Sequence, residues 1–295
     1  MKLTLGPLLY YWPRATTLAF YEAVAGWPVD VVYLGEAVCG RRHELRAADW
    51  LSLAALMLEA GKTPVLASQA LIESAGDLAA ARRLVESGCL TEAGDLGAVQ
   101  LAREAGVAFV AGSQLNLYNG ATLDWMVRAG AIRWLPPLEL GGSAIAAVLA
   151  EATLPIETEV FGHGRLPLAH SARCFTARHH SLNKDSCEFV CQQHPDGLMV
   201  LTQDEQPFLR LNGIQTQSAA CHALWDHLDE LGELGVSHLR ISPQANHTGD
   251  IVAAYAARLR GEAVTPDWAR WNPEGLVDGY WRGTAGIAAP QGQAA

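Results

Sequence analysis

The sequence has no apolar run of about 18 residues, which argues against a helix that spans a bilayer. It is also poor in basic charge: 21 Lys and Arg stand against 31 Asp and Glu, for a formal net charge of −10. Without a basic stripe, binding along a nucleic-acid backbone is disfavoured, and the short cluster Arg41-Arg42-His43 suits at most a small anion. No G-x-G-x-x-G, no H-E-x-x-H and no local Ser/His/Asp signature occurs, so dinucleotide-binding and hydrolase assignments gain nothing from motifs. The opening residues, Met1 to Pro7, lack the longer apolar stretch and small-residue cleavage site of a secretory signal. A cytoplasmic location is therefore expected.

Half of the 295 residues are apolar, enough for one large buried core. Short β-rich runs begin at Leu3, Val31, Thr63, Cys89, Val107, Ile132, Ile156 and Ser237. Helical candidates lie between most of them: Asp49–Ala60, Asp77–Ser87, Leu96–Ala105, Ala121–Ala129 and Ser143–Ala152. Strand–helix alternation of this kind implies parallel strands joined by helical crossovers. An open doubly wound sheet has the same local grammar, but length and strand count favour a (β/α)8 TIM-barrel-like α/β fold.

The first seven strand starts are 28, 32, 26, 18, 25 and 24 residues apart, whereas the seventh and eighth are 81 apart. That break predicts a cysteine-bearing insertion between strands 7 and 8, over about 163–235, with a hairpin near Asp204–Pro207 and a helix over Ala219–Leu234. Residues 1–282 are expected to form one barrel domain, and 283–295, small and without periodicity, a disordered tail.

Six cysteines in a reducing compartment are poor candidates for disulfides. Cys174, Cys187 and Cys191 crowd the insertion as C-x12-C-x3-C, and Cys39 closely follows the second strand. In a parallel barrel all segments that follow strands emerge at one face, so the four thiols can meet there despite the 135 residues between Cys39 and Cys174. Four thiolates suit an iron–sulfur cluster or structural zinc. The irregular spacing fits a cluster better than the two close pairs usual for zinc, and ordinary reduced loop cysteines are the third reading. Cys89 and Cys221 are expected to be small core residues.

Other polar residues follow strands: Glu36, Asp95, Asn116, Tyr118, Asn119, Glu139 and Glu159. Asn116, Tyr118 and Asn119 could orient a polar ring substituent, although Asn and Asp commonly cap helices, as Asp95 is expected to do. Arg41, Arg42, Arg173 and Arg178 flank the cysteines and could balance a negatively charged cluster. Of these, Arg41 and Arg178 are placed with Asn116, Tyr118 and Asn119 on a possible substrate face. His163, His170, His179, His180 and His194, also in the insertion, read first as exposed loop histidines.

Glu159-Val160-Phe161-Gly162-His163-Gly164, followed by Ser171-Ala172-Arg173-Cys174, resembles the signature of the collagenase-like peptidase family U-32. Pro167 stands where that pattern has its first cysteine and Ala172 where it has a glycine, which weakens any peptidase role. The strings Leu5–Pro13, Val32–Arg42, Asn116–Asn119, Gly164–Arg178 and Leu211–Thr216 are similar to one branch of the family, the UbiV-type ubiquinone biosynthesis proteins, over most of the chain to about Pro266. This resemblance implies a barrel and a 4Fe–4S cluster on Cys39, Cys174, Cys187 and Cys191. It also implies a heterodimer with the cluster-bearing paralogue UbiU and a role in oxygen-independent hydroxylation of the ubiquinone precursor ring. The oxygen would come from an organic donor, for which prephenate has been proposed, and the lipid-binding accessory protein UbiT would present the hydrophobic precursor. A peptidase-like hydrolase with structural zinc, and a non-catalytic scaffold braced by a cluster, are the alternatives.

Overall fold

The protein is described by a computed structural model over residues 1–290. Its first part alternates β1 (Lys2–Leu5), α1 (Arg14–Val24), β2 (Val31–Leu34), α2 (Ala47–Glu59), β3 (Thr63–Ala67), α3 (Ala75–Val85), β4 (Leu90–Ala93) and α4 (Leu96–Ala105). It continues through β5 (Phe109–Ala111), α5 (Gly120–Ala129), β6 (Ala131–Trp134), α6 (Gly142–Glu151) and β7 (Glu157–Gly164). The insertion then supplies β8 (Pro167–His170), α7 (Phe175–His179), β9 (Leu198–Leu201), β10 (Pro207–Asn212), β11 (Gln215–Ser218), β12 (Cys221–Ala223) and α8 (Leu228–Glu233). After it come β13 (His238–Ile241) and α9 (Thr248–Leu259).

Strands β1 to β7 pair in parallel in sequence order, and β13 closes the ring by pairing in parallel with both β7 and β1. The result is the expected (β/α)8 barrel. The insertion forms its own antiparallel sheet in the order β8-β11-β10-β9, and its hairpin turns between β9 and β10 as the Asp204–Pro207 segment predicts. No helix among the described residues is long and apolar enough to cross a membrane.

The strands read as nearly continuous apolar runs because both of their faces are covered. Leu3, Leu5, Val32, Leu34, Leu66, Leu239 and Ile241 join the large core shared with the helices, whereas Val31, Tyr33, Val65 and Val110 form a separate cluster on the opposite strand faces. Helix boundaries follow ordinary capping rules. Asp95 caps α4 through its bond from the Gly97 N–H at 2.6 Å, and Gly106 ends that helix in the left-handed region.

The barrel interior also carries charge. Thr4, Tyr33, Glu92, Arg133, Glu159 and Arg240, each the third residue of its strand, are all buried. Arg240 donates from Nε to Glu159 Oε1 and from Nη1 to Glu92 Oε1, both at 2.8 Å, and its guanidinium lies 4.0 Å from the Tyr33 ring centre. Thr4 donates to the same Glu159 oxygen at 2.7 Å, while Tyr33 donates to the other, and Arg133 Nη1 stands 3.5 Å from it. Glu159, expected to follow a strand, thus lies within one. Burial works to raise its carboxyl pKa, but Arg240 and Arg133 outweigh it and hold the group at about 2. Glu92, facing Arg240 from the other side, is raised by burial despite that guanidinium.

Two expectations for the last third of the chain are corrected. Ala219–Leu234 is not one helix: Cys221–Ala223 pairs antiparallel with the end of β7, a 3-10 turn follows, and only Leu228–Glu233 is α-helical. Leu224, Leu228 and Leu231 have helical spacing, yet the β7 edge beside Cys221–Ala223 offers backbone partners that local periodicity does not reveal. Residues 283–290, expected to be disordered, fold back on the domain. The Ala288 carbonyl accepts from Asp278 N–H at 3.2 Å, and the Ala289 carbonyl from the Arg282 guanidinium at 2.7 Å. Gly279 permits this, since a Cβ there would stand 1.8 Å from the Ala285 carbonyl. The rest of the expected tail, 291–295, lies outside the described residues.

Removing the shared cation should be costly, because it strands two buried carboxylates. Arg240→Met is expected to lower unfolding free energy by about 3–5 kcal/mol in urea titration. The contribution of Glu159, whose folded pKa lies below its unfolded value of about 4.3, should be present above that pH and disappear as pH falls toward 2. Glu159→Gln should flatten that acid limb.

Candidate functional site

The site begins at Gly35, immediately after β2. Its φ of +130° and a would-be Cβ only 2.6 Å from the Ala67 carbonyl restrict the position to glycine. Released from the strand, the chain turns over the Glu36 carboxylate, which accepts from Val38 N–H at 3.0 Å and Cys39 N–H at 3.1 Å. This bond pair fixes Cys39, which is 8 % exposed.

Arg42 ties that loop to the rest. Its guanidinium donates to the Leu9 carbonyl at 2.8 Å and to Asn212 Oδ1 at 2.7 Å, and stands 3.5 Å from Glu36. Asn212 returns a bond from Nδ2 to the same Leu9 carbonyl at 2.7 Å. One buried cation therefore joins the loop after β1, the loop after β2 and the β10–β11 hairpin of the insertion. Gly213, in the left-handed region at that hairpin, holds α7 by donating to Thr176 Oγ1 and accepting from Phe175 N–H, both at 2.9 Å.

Cys174 is the N-cap of α7, where its Sγ accepts from Ala177 N–H at 3.4 Å. Cys187 and Cys191 are separated by a segment in which Glu188 and Phe189 both have positive φ (51° and 54°), so the chain reverses between the two thiols. Phe189 packs on Tyr11 with ring centres 5.6 Å apart. Arg41 donates to the Asp185 carbonyl at 2.6 Å, linking the Cys39 loop to the Cys187 segment.

Cys39, Cys174, Cys187 and Cys191 line one small cavity with Arg41, Arg42, Thr176, Phe189, Val190 and Gly213. None of the six cysteines is in a disulfide. Burial pushes the Cys39 thiol up to about 11 against the opposing pull of Arg42, and burial likewise raises Cys191. In this state both thiols are protonated at neutral pH, and metal capture would release their protons. Among the described residues, no three His, Cys, Asp or Glu side chains stand close enough to hold a single metal ion. Buried Nε atoms of Arg41 and Arg42 have no hydrogen-bond partner among the described residues.

The remaining candidates divide. Cys89 lies in the turn before β4, and Cys221 is buried in β12 beside Gln244; neither lines the cavity. Asn119 caps α5 by accepting from Thr122 N–H at 2.9 Å, Asn116 takes a left-handed turn, and Tyr118 donates to Glu139 at the surface. All three follow β5 and stand apart from the cavity lining, and Arg178 is exposed. His163 is not an exposed loop histidine. It is fully buried at the end of β7, stacked on Trp268 at 5.4 Å, and burial pushes its pKa down to about 3. His180 and His194 face each other with Nε2 atoms 3.1 Å apart. Asn212 and Gly213 were not among the candidate residues; their signal was the turn dipeptide Asn-Gly between two β-rich runs.

A model described as peptidase family U32 matches residues 17–262. Among solved structures, the chain is similar to a U32 peptidase at 9 % identity, with 83 % of this chain and 94 % of that one covered and a TM-score of 0.47. It is also similar to a dihydropteroate synthase from Thermus thermophilus (15 % identity, 88 % and 94 % covered, TM-score 0.41). A tryptophan synthase complex from Pyrococcus furiosus gives 10 % identity, 87 % and 90 % coverage and a TM-score of 0.41.

Arg42→Met should free the insertion from the barrel mouth at a cost of about 3–5 kcal/mol. Hydrogen exchange should rise first over 207–218 and around Cys39, with the barrel strands still protected. A uniform rise, or none, would contradict the cross-tie.

Proposed function

The chain belongs to peptidase family U32, and from the resemblance of its Val32–Arg42 and Gly164–Arg178 strings to one branch of that family we propose that it is the iron–sulfur subunit of an oxygen-independent hydroxylase acting on the aromatic ring of the ubiquinone precursor. The observation that carries the reading is the convergence of Cys39, Cys174, Cys187 and Cys191 on one cavity from segments far apart in the chain. The donor set fits the group. A tetrahedral zinc site with four cysteines usually draws them from two close pairs, whereas only Cys187 and Cys191 form such a pair. A 4Fe–4S cluster spreads its thiolates over separate irons, which suits Cys39 and Cys174 arriving singly from separate segments. The guanidiniums of Arg41 and Arg42 supply counter-charge, and Ala177 N–H already bonds the Cys174 sulfur, as amides do around clusters.

When bound, the cluster would supply one-electron transfer or bracing. The chain's own residues hold the thiols in place: Glu36 orients the Cys39 backbone, Arg42 fixes the insertion, and Phe189 with Val190 gives the cavity an apolar wall. Four protein ligands leave no open iron for substrate. We therefore place substrate chemistry with a partner, the UbiU paralogue, with UbiT delivering the hydrophobic precursor and prephenate as the oxygen donor. The insertion sheet exposes Leu168, Leu201 and Phe208 on three of its strands, apolar side chains that a paralogous subunit could cover. The lining of the cysteine cavity includes no histidine or carboxylate to act as a hydrolytic base, so a peptidase reading would have to place its chemistry elsewhere in the chain.

Protein purified anaerobically should be brown and contain roughly four irons and four sulfides per chain. Cys174→Ala should lose iron and colour together, while Cys89→Ala and Cys221→Ala keep both. Colourless, zinc-replete wild type would overturn the assignment.

A further inference from the structure

A second cavity, of about 690 Å³, opens at the barrel mouth between the segments that follow β2 and β3 and runs between α2 and α3. Its volume is within the ordinary range for a small-molecule site, about 300–1,000 Å³. It shares Arg42 with the cysteine cavity, so the two adjoin at that residue. Gly40 keeps the space open, since a Cβ there would stand 2.3 Å from Asp77 Oδ1.

The charges in this cavity are unequally satisfied. Glu36 is occupied by the Val38 and Cys39 amides, and Asp77 by Ser74 Oγ at 2.8 Å and Glu73 N–H at 3.3 Å. Arg46 and Arg83 also line it, and neither guanidinium forms an ion pair among the described residues, although the Arg46 backbone N–H donates to Asp49 at 2.8 Å. Three carboxylates in or next to α2, α3 and α4 are taken by other arginines, Asp49 by Arg14 and Glu86 and Glu104 by Arg82, while Asp77 in the lining forms no ion pair among the described residues. Trp50, Ile72 and Leu84 give the cavity an apolar wall, and Gln69 contributes a buried amide oxygen without a partner. Two unpaired guanidiniums beside an apolar wall match an anionic group on an apolar body, and Arg binds carboxylates well through its planar fork.

We infer that this cavity is a binding site for a small organic carboxylate, with Arg46 and Arg83 engaging the carboxylate and the Trp50–Leu84 wall covering the apolar body. The inference does not require the cluster. Calorimetric titration of the full chain with benzoate, using benzamide as the uncharged control, tests it. Benzoate should bind saturably, benzamide at least tenfold more weakly, and the Arg46→Ala/Arg83→Ala double variant should lose at least tenfold in benzoate affinity. Both arginines are exposed, so the variant should fold, which its melting curve verifies; Ala80→Trp, which fills the cavity, is the second variant and should abolish binding. Absence of saturable benzoate binding to the wild type, or equal affinity in both variants, overturns the proposal. Iron content is read on the same samples. Colourless protein that binds benzoate would sink the cluster assignment alone, and brown protein that does not would sink the carboxylate site alone.

Discussion

The ion pair between Arg240 and Glu159 sits across the seam where the barrel closes. β7 and β13 are separated in sequence by the whole insertion, yet they must pair for the ring to be complete. A buried carboxylate and guanidinium at 2.8 Å, with Glu92, Arg133, Thr4 and Tyr33 as further partners and Arg240 Nη2 left without one among the described residues, give that pairing one register. Buried polar networks add little net stability over apolar packing, but they penalise every arrangement that leaves a member unpaired. Closure in this register is what sends all post-strand segments to one face, and every feature of the cysteine cavity presumes it.

At that face, a second buried cation repeats the device on a smaller scale. Arg42 joins the loops after β1 and β2 to the end of β10. The thiols are carried by loops, but the loops are referenced to strands through backbone carbonyls and a hairpin amide. A site on irregular segments thereby inherits the rigidity of the barrel. The neighbouring 690 Å³ cavity inherits it too, since Arg42 and Gly40 belong to its wall.

Much of this was legible in the sequence, for identifiable reasons. Strand–helix alternation reports covering of both strand faces, and Asp95 and Asn119 are local caps whose partners lie two or three residues away. The interval of 81 residues announced the insertion. Features set by distant partners were hidden. Cys221–Ala223 became a strand because the edge of β7 was available, His163 was buried by Trp268 from over a hundred residues later, and residues 283–290 were ordered by contacts with Asp278 and Arg282. The four cysteines could be grouped by topology, but Asn212, which positions their loops, is an ordinary turn residue until Arg42 is seen against it.

The distance along the chain between Cys39 and the other three thiols has a consequence in time. Local contacts form early, and contacts across long sequence separations wait for most of the fold. Cys39 leaves the ribosome well over a hundred residues before Cys174, and the hairpin amide that fixes their relation comes later still. The cavity can therefore exist only once the insertion has been made and laid against the barrel mouth. Whatever enters it meets a chain whose first seven barrel strands are already made, through an opening that the insertion shapes.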